Sequence, residues 1–131
     1  MRSRIHLCTF MNYSVMEELD IPIFKKAYEL TKKLYELRGT IPKHDRYALW
    51  QRCENLLLEI LEGILFASQL RKPQKLEPLE QVSVKLNVLR VFLRLAKDLK
   101  IMDLKKYGLL EEMVDEIGRM LGGWIKSTRE A

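Results

Sequence analysis

VKLNVLRVFLRLAKDLKI, residues 84–101, decides how the rest of this chain is read. At roughly 100° per residue on a helix, Val82, Leu86, Leu89, Phe92, Leu93, Ala96 and Leu99 share one apolar face. Val88, Val91 and Leu95 carry that surface around the back. Arg90, Arg94 and Lys97 fall within roughly 60° of arc, with Asn87 and Asp98 beside them. A bundle helix needs an apolar arc only a little over about 100° wide, and this one has about twice that. The helix is therefore expected to have two apolar neighbours, one inside its own bundle and one beyond it. Its remaining strip is mostly positive.

Upstream, Ile21-Pro22 opens the first helical pattern, with proline at the first turn where its missing N–H costs nothing. Phe24, Ala27, Tyr28, Thr31, Leu34 and Tyr35 recur at three- and four-residue spacing. Gly39 is read as the stop of this helix, about 22–38. A connector through Pro42, His44 and Asp45 leads to a second helix, about 46–70, capped by His44 or Asp45. It is apolar around most of its circumference, with Trp50, Cys53, Leu57, Ile60, Leu61 and Ile64 among its residues, which predicts burial on more than one side. Gly63 within it points to a close helix crossing or to simple tolerance. Residues 71–78 read as a basic connector between Pro73 and Pro78, and the third helix as about 79–99. Asp103 caps a fourth helix, about 103–126, whose Gly118, Gly122 and Gly123 either end it near Gly122 or, the reading preferred, admit a neighbouring backbone closely. The expected fold is all-α, an up-down-up-down antiparallel four-helix bundle over 21–127. A weakly ordered N-terminal tail is expected at 1–20 and a polar C-terminal tail at 128–131.

Composition is consistent with that. A chain of 131 residues, 47% hydrophobic, is one domain with a packed core. No apolar run reaches the roughly 18 residues of a membrane span, and the N-terminus makes a poor signal peptide. Met11 and Met16 are alternative starts to Met1. Cys8 and Cys53 read as unpaired thiols of a reducing compartment, with Cys53 packed as a small apolar residue. Net charge is +5, and +6 once residues 1–20 are removed, so the excess belongs to the folded part. That suits a polyanionic partner without naming it.

Catalytic signatures are absent: no HExxH, CxxC, GxSxG or phosphate-binding glycine loop. No Glu is followed at metal-bundle spacing by a His, so no catalytic residue, metal or cofactor is expected. The basic residues fall into sets. The lysines of the first helix read as a solvated face. Arg71, Lys72 and Lys75 in the connector divide between solvation and phosphate contact. Arg90, Arg94 and Lys97 are joined around the turn by Lys100, Lys105 and Lys106. In an antiparallel hairpin, residues 90–94 would face Glu111, Glu112, Asp115 and Glu116, so internal salt bridges compete with phosphate or partner contact. Aromatics do not alternate with the basic residues, so binding would be backbone-driven and weak in sequence preference.

Three segments carry a resemblance: IPKHDRYALWQR (41–52), VLRVFLRLAKDLKIMDLKKY (88–107) and DEIGRMLGGWIKS (115–127). Over about residues 22–127 the chain resembles a family of four-helix bundles. It includes the accessory variability proteins (Avd) of diversity-generating retroelements and the proteins of 23S ribosomal RNA intervening sequences. The resemblance implies a cytoplasmic, non-enzymatic protein that assembles as a homopentameric barrel. It further implies binding of DNA and RNA and association with the element's reverse transcriptase. By analogy the family's basic residues map to Arg46, Arg52, Arg90, Arg94 and Lys97, and the surplus apolar surface would form a subunit interface. An intervening-sequence type of protein and an interaction module with internally paired charges are the alternatives.

Overall fold

The computed structural model describes residues 21–130, so the expected tail at 1–20, with Cys8 in it, lies outside the described residues. Among the described residues there are four long helices and no strand. They are α1 (Pro22–Leu37), α3 (Leu49–Ser68), α4 (Lys72–Asp98) and α5 (Leu104–Arg129). A 3-10 turn, Arg38–Thr40, and a short helical turn α2, Lys43–Arg46, lie between α1 and α3. No helix among the described residues is long and apolar enough to cross a membrane.

Each boundary has a local cause. Helix α1 starts on Pro22, which loses no hydrogen bond there. It does not stop on a left-handed glycine, as read from Gly39, because no glycine has positive φ. The chain tightens instead into the 3-10 turn, where the Thr40 hydroxyl donates to the Leu37 carbonyl at 2.7 Å. The second expected helix is broken at Ala48, whose φ of −119° and ψ of −105° are not helical. Neither His44 nor Asp45 supplies a cap by its side chain.

Helix α4 absorbs most of the expected connector. Pro73 sits in its first turn, and Pro78 removes one rung of the ladder inside it. The carbonyl that loses its donor belongs to Gln74, which is exposed and can bond water. Asp103 caps α5 as expected, its carboxylate accepting from the Lys106 N–H at 2.8 Å. Helix α5 continues past 126 to Arg129, with Thr128 buried inside the expected tail.

The core gathers the inner faces of all four long helices, including Leu30, Leu34, Trp50, Leu57, Ile60, Leu89, Leu93 and Ile117. Each fully buried side chain of this size contributes about 1.5–3 kcal/mol. Trp50 is completely buried, and its Nε1–H donates to the Leu34 carbonyl at 3.1 Å, pinning α3 to α1. Helices α3 and α4 cross closely at Gly63, where a Cβ would stand 2.5 Å from Val82 Cγ2. The glycines of α5 behave otherwise. Gly118 makes room for the Arg90 guanidinium, and Gly122 and Gly123 face open space, so none of the three admits a neighbouring backbone.

The inner face of α4 is buried at Val82, Leu86, Leu89, Leu93 and Ala96, as the wheel requires. Leu99 departs from it at 60% exposed, because it is the C-cap beyond the last helical turn. On the opposite side Val84, Val91 and Leu95 are exposed, Val91 at 62%, so α4 carries a second, uncovered apolar face. A further apolar surface lies between α1 and α3, formed by Tyr28, Tyr35, Leu58 and Leu61.

A candidate polyanion-binding surface

Arg90 leaves α4 toward α5 and forms an ion pair with Asp115 over the bare backbone of Gly118. The half-exposed guanidinium is thereby committed within the chain. One turn on, Arg94 is exposed and has no carboxylate within ion-pair distance among the described residues. The internal pairing weighed from sequence thus takes one arginine and leaves the other. Arg94 lines a pocket between α4 and α5 together with Arg90, Tyr107 and Glu111. The hydrogen bond from Tyr107 to Glu111, followed by burial, raises the phenol above its usual range, while the nearby Arg94 charge lowers it.

Lys97 is held rather than free. Its ammonium lies 4.8 Å from the Tyr107 ring centroid and 3.5 Å from the Asp98 carboxylate. Arg52, on the facing turn of α3, is exposed with its guanidinium 5.9 Å from the Phe92 ring centroid. Arg94 and Lys97 lie on the α5 side of α4, with Lys100 at the turn and Lys105 in the first turn of α5, while Arg52 lies on the α3 side of α4. Among the described residues, Lys100 and Lys105 have no ion pair.

Arg46 has a different job. Its Nε–H donates to the Ile41 carbonyl at 2.8 Å and its Nη2 to Gly39 at 3.1 Å, closing the loop between α1 and α3. Arg71 and Lys72 are exposed at the start of α4, about 33 Å of helix away from Arg94. Lys75, their companion in sequence, donates to the Ala67 and Ser68 carbonyls at 3.0 and 3.3 Å, capping the end of α3.

Sequence reasoning missed the ion pair under the α1–α3 loop. Glu54 is 1% exposed, and its Oε1 accepts from Arg38 at 2.6 Å, while Oε2 has no hydrogen-bond partner among the described residues. Burial pushes its carboxyl above the usual carboxylate range, against the lowering pull of Arg38. Arg38 also lies over the Tyr47 ring, 5.1 Å from its centroid. Burial, and next the Glu54 charge, push the Cys53 thiol up to about 12, which makes it inert. The signal was present: Glu54 follows Trp50 by four and precedes Leu57 by three, a charged residue at a core position. Among the described residues no three His, Cys, Asp or Glu side chains gather as a metal site.

A family model described as bAvd-like matches residues 22–128. No curated protein matches the chain.

Proposed function

Because the chain belongs to the bAvd-like family, we propose that it is a non-enzymatic accessory subunit of a diversity-generating retroelement. In this role it binds nucleic acid by its phosphates and associates with the element's reverse transcriptase in the cytoplasm. The observation that carries the reading is the exposure of Arg52, Arg94, Lys100 and Lys105 toward the end of the bundle where α4 turns into α5, with no carboxylate within ion-pair distance of them among the described residues. Cations left unpaired in the folded chain can release counterions from a polyanion, which is where the affinity of non-specific binding comes from. Committed side chains such as Arg46 and Arg90 support the surface without making contacts of their own.

The same reading has the helices running up-down-up-down. Contacts that pair Lys85 with Glu59, Val82 with Gly63 and Lys75 with Ala67 support it, since numbers rise on α4 as they fall on α3. The chain also associates with itself. The outer face of α4 and the Tyr28–Leu58 surface are unlike apolar patches on different sides of the molecule. Two unlike patches that fit each other give a head-to-tail contact, which closes into a ring such as a pentamer and not a two-fold dimer.

Fluorescence anisotropy with labelled single- and double-stranded RNA and DNA tests the binding. We expect binding that weakens steeply between low and physiological salt, and that is largely lost in Arg52→Gln/Arg94→Gln, a variant expected to melt like the parent. Absence of binding at low salt sinks the proposal. Co-purification of a reverse transcriptase encoded beside this gene tests the partner.

A further inference from the structure

We infer that a nucleic-acid duplex lies lengthwise along the seam between α4 and α5, gripped at both ends of α4 and by Arg119 and Lys126 between them. The inference rests on the polyanion reading above and adds a path, a length and two residues. Three depressions run along this seam and share their walls: the first and second share Arg90 and Asp115, the second and third Ser83 and Gly122. They form one groove. Two of its four carboxylates are taken up by cations, Asp115 by Arg90 and Glu80 by Arg129, leaving Glu111 beside Tyr107 and Glu130 at the end of α5. Its remaining cations are unpaired. Arg94, Arg119 and Lys126 are exposed, and no carboxylate lies within ion-pair distance of them among the described residues.

These charges lie in line. Arg119 and Lys126 are seven residues apart, so they project within about 20° of each other and about 10 Å apart along α5. Lys72 and Arg94 project within about 40° of each other on α4, about 33 Å apart. One stiff rod can therefore touch all of them. At about 3.4 Å per base pair, the span from Lys72 to Arg94 corresponds to about ten base pairs. The outer apolar face of α4 borders this groove, with Val91 lining the first depression and Val84 the third, while Leu95 lies outside all three.

The test measures anisotropy over a salt series with two duplexes, one of about 14 base pairs and one of about 6, too short for the span. With the longer duplex, Arg119→Gln/Lys126→Gln and Arg71→Gln/Lys72→Gln are each expected to make the slope of log affinity against log salt shallower by about 1.8. With the shorter duplex, the effect of Arg71→Gln/Lys72→Gln is expected to disappear. Circular dichroism melts should match the parent, since all four side chains are exposed. A parental slope for either variant on the longer duplex overturns the seam. If Arg52→Gln/Arg94→Gln still lowers affinity in that case, the polyanion reading stands without it. If that variant too has no effect, both fall.

Discussion

Arg90 and Arg94 share a helix, a charge and a residue type, and the structure gives them different work. Arg90→Ala removes the partner of Asp115 and the occupant of the space above Gly118, so we expect a lower melting temperature. Arg94→Ala should leave melting unchanged and weaken nucleic-acid binding. Thermal denaturation and anisotropy on the two variants check the split. Glu54 offers a sharper test. Arg38→Ala strands a buried carboxylate, and losing one partner of a buried pair costs about 3–5 kcal/mol. The Glu54 carboxyl is already raised by burial, and removing Arg38 raises it further. A raised folded-state pKa means that the folded chain binds the proton more tightly, so its contribution to stability is present at low pH and lost as pH rises. The destabilisation of Arg38→Ala should thus be larger at pH 8 than at pH 5, as urea titrations at both would show. Lys100 is the one non-glycine among the described residues with positive φ, 61°. Its N–H bonds to Lys97, and the Ile101 N–H to Ala96, at 2.9 and 2.8 Å, the two bonds of a helix-ending Schellman turn. Lys100→Gly should relieve roughly 1 kcal/mol of left-handed strain and raise the melting temperature.

At the scale of elements, α3 and α4 depend on a missing side chain. Gly63→Leu would drive a branched side chain into Val82, and overpacking of this kind costs about 1–3 kcal/mol. We expect that loss in urea unfolding, with partial recovery in Gly63→Leu/Val82→Ala. The four long helices and the inner face of α4 were legible in the sequence because apolar spacing reports burial directly. The beginning of α4 was not. Pro73 and Pro78 mark a connector by local rule, yet the helix runs through both, because Pro73 falls where no N–H is needed and Pro78 leaves its lost carbonyl beside water. Nor was the break at Ala48. Beside it, Arg46 is tied back to Ile41 and Gly39 within the loop, and Trp50 to Leu34 sixteen residues away, neither of which a helical repeat of apolar residues reports.

For the molecule as a whole, the uncovered apolar face of α4 decides what is expected in solution. Val91→Asp/Leu95→Asp places charge on that face while leaving the buried face untouched. Light scattering should report a larger assembly for the parent and a monomer for the variant, with helicity unchanged. A parent that is already monomeric would refute self-association. The basic residues were legible as types but not as a surface. Of the seven singled out, Arg94 and Lys97 lie together on the α5 side of α4, Arg52 on its α3 side, Arg71 and Lys72 stand at the far end of α4, and Arg46 and Arg90 are engaged within the chain.

The sequence by itself determined the helical class, the number of long helices, the inner and outer faces of α4 and the positive excess of the folded part. These follow from period and composition, which are local or additive properties of a chain. Tertiary structure alone decided which charges are free. A cation's availability depends on the carboxylate or carbonyl that folding brings beside it, and those partners stand many positions away: Glu54 sixteen from Arg38, Asp115 twenty-five from Arg90. The stretch at 84–101 therefore specified a helix with two apolar faces. Only its packing against α5 showed that Arg90 braces the fold while Arg94 faces outward.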